Sequence, residues 1–360
     1  MKLSRSIAIL ALLLPAVPAA AQVSLAPPPA TTPPNTSTEK PKEIPKTKPH
    51  TVAKKPAQPA PKPSPSPSPP PAATVIPAPQ TDTSGVDLVF GAYQRGQYKT
   101  AFDLAMMRAQ AGDPKAMTML GELYSNSLGI KRDYVKAVEW YKRASDAGDR
   151  EAMFALAMMR IAGRGGPVDK GDAVKLLASA AKLGEPKAAY NLALLYLDGQ
   201  TLPQDVTRSA ELLRQAADAG LPEAQYALAT FYKEGTGVPK DIDKSVRLLQ
   251  AASLADNVDA EVEYAIALFN GTGTPKNPPA AVALLRKAAR QNSAIAQNRL
   301  AWVLINGMGA PMDKIEGFKW HLVAKTAGKG DPDLDAQLTN LSPEDRAKAE
   351  AAAKKWLGTK

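Results

Sequence analysis

The chain has no cysteine and only two histidines among its 360 residues. Neither a disulfide bond nor a lipid-modified N-terminal cysteine is therefore possible, so an exported form of the chain must be held together by apolar burial. His50 stands in a proline-rich stretch, and His321 occupies a position at which other copies of a repeated unit carry leucine or tyrosine. A His-Glu-x-x-His zinc motif and a Gly-x-Ser-x-Gly nucleophile motif are also missing. We expect no catalytic residue, no cofactor and no metal site.

The formal net charge of +10 is spread along the chain. Lys2 and Arg5 carry two of the positive charges, and residues 23–84 hold seven lysines against three acids. Residues 85–360 hold 36 basic and 32 acidic side chains, which are interleaved. Because nucleic-acid binding requires a concentrated basic stripe, we expect no nucleic-acid partner.

The first 21 residues have the pattern of a bacterial export signal. Lys2 and Arg5 form a basic start, residues 7–14 are apolar, and residues 19–21 are three alanines that suit cleavage. An uncleaved membrane anchor is the alternative, but a span needs about 20 apolar residues and this run has eight. No later segment is long and apolar enough to span a membrane. We expect a periplasmic or secreted protein without a transmembrane span after signal cleavage.

Residues 22–84 contain 19 of the 33 prolines. Proline fixes its own φ angle and lacks the backbone N–H that helices and sheets require. The composition favours an extended polyproline II spacer that separates the rest of the chain from a surface. A disordered solubilising tail is the equal alternative, and the sequence does not show whether the segment is anchored.

One unit of 36 residues recurs six times without an insertion. Its first marker is an alanine, found at positions 116, 152, 188, 224, 260 and 296. Its second marker is another alanine, found at positions 144, 180, 216, 252, 288 and 324. Tandem units of this length indicate a solenoid, in which function resides on an extended surface rather than in a single cleft.

Each unit has the pattern of two helices joined by a glycine-bearing turn. In the first unit Ala116, Leu120 and Tyr124 lie on one helical face, and Gly121 beside them is replaced by alanine in the other five copies. Glycines after the first helix supply the left-handed conformation that ends it. An Asp or Asn then precedes the second helix in every copy, which predicts N-caps at Asp133, Asp169, Asp205, Asp241, Asn277 and Asp313.

The string Ala-x(3)-Leu-Gly-x(2)-Tyr, followed by Gly-x-Gly-Ile/Val, Asp and Ala-x(2)-Trp-Tyr-x(2)-Ala, resembles the Sel-one-like repeat. This family is a short relative of the tetratricopeptide repeat. The resemblance covers residues 112–328 and implies an all-α fold, a right-handed α-α superhelical solenoid of six helix-turn-helix repeats. The chain departs from the motif at three places. Arg160 replaces a tyrosine, and Thr201 replaces a glycine. Repeats two to five carry Leu-Leu where the motif has Trp-Tyr.

Both ends of the array are atypical, as a solenoid requires. Residues 85–111 read as a degenerate capping helix pair. Residues 329–360 read as a capping segment whose last helix starts at Ser342-Pro343, with serine as the cap and proline in the first turn.

The resemblance implies that the first helix of each repeat lines the concave surface of the superhelix. Positions outside its packing face then form two stripes, and we predict that partners bind Phe154, Met158, Tyr190, Leu194, Tyr226 and Trp302. Apolar and aromatic side chains on such a surface are typical of interaction sites. Packing between repeats is the alternative role for Tyr190 and Tyr226.

The resemblance implies adaptor work, so we expect a non-enzymatic scaffold that binds protein partners in the cell envelope. A polysaccharide- or peptidoglycan-binding module is an alternative, because aromatic side chains in a groove suit sugar faces. A β-lactam-interacting protein or another hydrolase is a second alternative. The β-lactam-binding relatives have disulfides that this chain cannot form, whereas a glycosidase carboxylate pair is set by geometry and stays open at this point.

Overall fold

The computed structural model describes residues 87–358, and the export-signal and spacer predictions lie outside these residues. Within this range the chain forms sixteen α-helices and no β-strand, which confirms the all-α prediction. The helices are α1 (Leu88–Gln94), α2 (Tyr98–Gln110), α3 (Pro114–Asn126), α4 (Tyr134–Asp146), α5 (Arg150–Ala162), α6 (Lys170–Lys182), α7 (Pro186–Asp198), α8 (Val206–Asp218), α9 (Pro222–Glu234), α10 (Ile242–Leu254), α11 (Val258–Asn270), α12 (Pro278–Arg290), α13 (Ala294–Ile305), α14 (Lys314–Thr326), α15 (Pro332–Thr339) and α16 (Pro343–Leu357).

Helices α3 to α14 are the six repeats, each with an odd-numbered first helix and an even-numbered second helix. Each helix from α2 to α14 packs on the one before it, and α16 packs on α14, so the predicted solenoid of helix pairs with capping helices is confirmed. The two alanine markers are buried in all six copies, and most are fully inaccessible. Their small side chains let neighbouring helices approach closely, which is the packing role that the repeated pattern indicated.

All six predicted N-caps are confirmed. In every second helix of a repeat, the Asp or Asn side chain accepts a hydrogen bond from the backbone N–H three residues later. The first helices have side-chain caps of their own, which we did not predict. Five of the six are capped, by Asp113, Asp149, Glu185, Asn257 and Ser293, while Leu221 precedes α9 without a side-chain cap.

The second glycine of each turn has a packing role beyond ending a helix. A Cβ at Gly237 would lie 2.5 Å from the carbonyl oxygen of Val206, which begins the second helix of the preceding repeat. The φ of Gly237 is also positive, at 65°. Thr201 occupies the equivalent position in the third repeat and does not have a positive φ, so that turn follows another path. The glycine therefore lets the turn of one repeat lie close to the backbone of the previous repeat.

Gly121 is the one glycine in a column of alanines, and Tyr141 explains it. A Cβ at Gly121 would lie 2.5 Å from Cε1 of the Tyr141 ring. Tyr141 is 5% exposed, and its hydroxyl lies 3.5 Å from the Ser125 hydroxyl. Repeats two to five place leucine at the Tyr141 position and alanine at the Gly121 position. Glycine and tyrosine are thus a matched pair that fills the same space as alanine and leucine.

We predict that Gly121→Ala lowers the free energy of unfolding by about 1–3 kcal/mol, because the added methyl group overpacks the tyrosine ring. In a Tyr141→Leu background the same change should be neutral or stabilising, since alanine favours helix by about 1 kcal/mol over glycine. Chemical denaturation of the four proteins of this double-mutant cycle measures the coupling. Equal effects of Gly121→Ala in both backgrounds would contradict the matched pair.

The C-terminal cap is fastened to α14. Helix α16 packs on α14, where the rings of Trp320 and Trp356 meet edge to face at 4.9 Å between centroids. His321 is fully buried, and its Nε2 lies 2.8 Å from Oδ1 of Asp335 on α15. Lys325 donates to the same oxygen at 2.8 Å. Both hydrogen bonds lower the pKa of the Asp335 carboxyl, and the one from Lys325 has the larger effect.

The lowered pKa gives the cap an acid-dependent stability. The ionised Asp335 stabilises the folded form above the pKa of an unfolded aspartate, about 3.9, and this contribution is lost as the pH falls through the lower folded-state pKa. We expect Asp335→Asn to lower the melting temperature at pH 6 and to have a smaller effect at pH 3. Asp333→Asn on the same helix is the control, because the Asp333 side chain forms no ion pair within residues 87–358. A loss of equal size at both pH values would contradict this account.

Candidate functional site

The first helices of the repeats carry a continuous set of side chains on the face away from their buried alanines. Position 118 is two residues beyond Ala116, so its side chain points about 200° around the helix from the buried face. We call this face the first-helix surface. One stripe consists of Thr118, Phe154, Tyr190, Tyr226, Val262 and Asn298. The other consists of Glu122, Met158, Leu194, Thr230, Ile266 and Trp302.

All six predicted binding residues are half-buried. Phe154 and Tyr190 pack against the buried core of repeats two to four, and Tyr226 packs against the core around Ala229 and Leu249. Their remaining surface is accessible on the first helices, as it is for Met158, Leu194 and Trp302. The structure thus places each of them at a position that serves packing and leaves area for contact, and their role in binding stays a prediction.

Val262 departs from its stripe. Its side chain is only 5% exposed, so it lies beneath the surface that the other members of the stripe reach. At the N-terminal end, Glu122 accepts a 2.6 Å hydrogen bond from the Tyr93 hydroxyl, and the Thr118 hydroxyl donates to Asp149 at 3.0 Å. These two polar residues therefore link neighbouring helices instead of remaining open to a partner.

Acidic side chains accompany the two tyrosines, a feature that the sequence analysis missed. Burial raises the pKa of the Tyr226 hydroxyl to about 12, with smaller contributions from the charges of Asp259, Glu263 and Glu234. Burial also raises the pKa of Tyr190, assisted by the charge of Glu223. The sequence held a partial signal, because residues 258–270 contain three acids and no base.

One of those three acids is structural. Glu261 is fully buried, and its carboxylate lies 2.7 Å from Nζ of Lys287 and 3.0 Å from Nε2 of Gln291. The equivalent Gln225 and Gln297 instead donate to backbone carbonyls at the end of the preceding helix. Glu261 therefore joins the two helices of the fifth repeat, and Asp259 and Glu263 are the acids of α11 that reach the surface.

The family model of the Sel1 repeat matches six consecutive segments, residues 114–149, 150–185, 186–221, 222–257, 258–293 and 294–329. The chain belongs to the Sel1 repeat family. The crystal structure of a Sel1 repeat protein from Oxalobacter formigenes is similar, with a TM-score of 0.60 and 26% identity over 66% of this chain and 98% of that one. No curated protein matches the sequence.

A second similar structure is that of c5321, a protective antigen of uropathogenic Escherichia coli strains with an SLR fold. It has a TM-score of 0.52 and 23% identity, and the match covers 75% of this chain and 67% of that one. At this identity the similarity concerns the fold. The Sel1 solenoid is typical of protein-interaction scaffolds, and the family is generally non-catalytic.

The departures of this chain from the Sel1 repeat motif have local explanations. Arg160 replaces a tyrosine and forms an ion pair with Asp172, with 3.2 Å between Nε and Oδ2. This pair joins the first helix of the second Sel1 repeat to its second helix. At the equivalent positions of the first and fourth repeats, Lys136 and Lys244 lie over the rings of Tyr124 and Tyr232 at 5.5 and 5.4 Å. The substitution therefore replaces a cation–π contact within the repeat by an ion pair.

The described part of the Sel1 array also contains open depressions. Within residues 87–358 no three His, Asp or Glu side chains come together as a metal site, and no helix is long and apolar enough to cross a membrane. Two open depressions of about 460 and 270 Å³ lie beside α14 and beside α10. Neither is lined by a histidine, a serine or a threonine.

We predict that Asp259→Asn combined with Glu263→Gln lowers the Tyr226 pKa from about 12 while leaving it above 10, because burial is the larger cause. Titration of the ring-carbon NMR signal of Tyr226, assigned with Tyr226→Phe, measures this pKa. Glu139→Gln on α4 is the control for an equal change of charge elsewhere. An unchanged Tyr226 pKa in the double variant would show that these carboxylates do not act on the hydroxyl.

Proposed function

We propose that this Sel1 repeat protein is an exported, non-enzymatic scaffold that binds protein partners in the bacterial cell envelope. The first-helix surface would accept a helix or an extended segment of the partner in the concave groove that the family resemblance implies. The observation that carries this proposal is the row of half-buried apolar and aromatic side chains on successive first helices, Phe154, Met158, Tyr190, Leu194 and Tyr226.

Half-buried aromatic side chains on a rigid support are suited to binding. Phe154 and Tyr190 are held by the core on one side, so little side-chain entropy remains to be lost when a partner covers the other side. Neighbouring first helices are also bridged directly, as by Lys233 and Glu263 at 2.9 Å. A partner would therefore meet a preformed surface.

The proposed location follows from the N-terminal sequence alone. Lys2, Arg5, the apolar run and the alanines at 19–21 support export, and the proline-rich residues 22–84 support a spacer between the array and its point of attachment. An envelope role follows from these features, and periplasmic fractionation of the full-length chain tests it.

We expect a photo-crosslinking amino acid at position 154, introduced into the full-length protein in cells, to capture a protein partner. Phe154→Ala with Met158→Ala should weaken the pull-down of that partner at least tenfold, since truncation of an interface anchor costs more than 1 kcal/mol. Circular dichroism should remain that of the wild-type protein.

Leu254→Ala with Val135→Ala is the matched control, because both residues are exposed apolar side chains of second helices. This variant should bind normally. If both double variants weaken the pull-down equally, the site lies elsewhere. If position 154 captures only glycan, the polysaccharide-binding alternative replaces the proposal.

A further inference from the structure

We propose that the part of the first-helix surface formed by α7, α9 and α11 recognises a lysine- or arginine-rich protein segment. This inference rests on the proposed function and specifies the chemistry of the partner. We call this part the acidic tyrosine surface, and its members are Tyr190, Glu223, Tyr226, Glu234, Asp259 and Glu263.

The acidic tyrosine surface contains one arrangement twice. Glu223 and Tyr226 are three residues apart on α9, and Asp259 and Glu263 are four residues apart on α11, so the members of each pair share one helix face. The charge of Glu223 acts on Tyr190, and that of Asp259 acts on Tyr226. In both cases the acid follows the tyrosine by 33 residues, as the second residue of the next first helix. Two successive repeats therefore present the same combination of a half-buried ring and an exposed carboxylate.

This combination suits a cation. The face of a tyrosine ring attracts an ammonium or guanidinium group, and a nearby carboxylate adds a charge-assisted hydrogen bond. Arginine can use its planar guanidinium for both contacts at once, whereas lysine offers a single point charge. Two such subsites in adjacent repeats would select a segment with at least two basic side chains.

The carboxylates are available for this purpose. Glu223, Glu234 and Asp259 are exposed, and none forms an ion pair with another residue in the range 87–358. Glu263 is paired with Lys233, the one basic residue of α9. The third acid of α11, Glu261, is buried and bonded to Lys287 and Gln291, so it is not available to a partner. Lys187, three residues before Tyr190 on α7, and Lys233 are accessible bases of the same helices. Against these two bases stand the four carboxylates, so the surface is negative on balance and a basic partner complements it.

The charge also argues against other occupants. An acidic polysaccharide or another anionic polymer would be repelled by four carboxylates beside the tyrosines. A bound metal ion is not supported, because no three acids or histidines of the described range lie close enough to share one. A basic protein segment is the occupant that uses both the rings and the charges.

The test uses the full-length mature protein and a labelled decapeptide of alternating lysine and alanine, with alternating glutamate and alanine as its counterpart. Fluorescence anisotropy at low salt should show binding of the lysine peptide and none of the glutamate peptide. The affinity should fall as the salt concentration rises, because screening weakens contacts between exposed charges. The triple variant Glu223→Gln, Asp259→Asn, Glu263→Gln should bind the lysine peptide at least tenfold more weakly.

A second triple variant, Glu139→Gln, Glu211→Gln, Asp243→Asn, removes the same charge from second helices and should bind within twofold of the wild type. Equal weakening in the two triple variants would reduce the effect to overall charge and overturn the proposal. Absence of lysine-peptide binding, or binding of the glutamate peptide, would also overturn it. Capture of a partner at position 154 that the acidic-surface triple variant still binds would refute this inference while leaving the scaffold function intact.

Discussion

The close approach of successive helices at small buried side chains is the constraint on which this solenoid depends. Ala188 and Ala193 on α7, and Ala180 on α6, have no accessible surface, and the same positions are filled by alanine or glycine in every repeat. A larger side chain there would push two helices apart. Because each repeat contacts mainly its neighbours, one displaced helix would alter the placement of the next repeat.

This constraint separates the residues that build the array from those that can recognise a partner. The small residues on the packing face of each first helix recur in all six copies as alanine or glycine, whereas the opposite face reads Thr, Phe, Tyr, Tyr, Val and Asn at the position of residue 118. Variation is tolerated there because those side chains do not determine the helix spacing. Phe154 and Tyr190 combine the two roles, because each side chain packs partly on the core and is partly exposed. We therefore propose that the residues that differ among repeats are those that recognise the partner.

Most of the fold was predictable because periodic signals reinforce one another. Six Asp or Asn residues at one position of the repeat predict a helix cap, and six alanines at one position predict a small buried side chain between helices. Single substitutions were not predictable in the same way. The match of Gly121 with Tyr141, the burial of Val262 and the effect of the Asp259 charge on Tyr226 all depend on how neighbouring helices stack. The sequence shows that such residues differ from their equivalents and does not show which atoms they meet.

The most direct test of the central claim compares two substitutions on one helix. Ala193→Leu enlarges a fully buried small residue of α7, and Asn191→Leu enlarges a half-buried residue of the same helix whose side chain bonds only to Lys187 within that helix. The free energy of unfolding, measured by chemical denaturation, should fall by about 1–3 kcal/mol for Ala193→Leu and change by less than about 0.5 kcal/mol for Asn191→Leu. Losses of equal size in the two variants would contradict the claim that small buried columns hold the repeats in register.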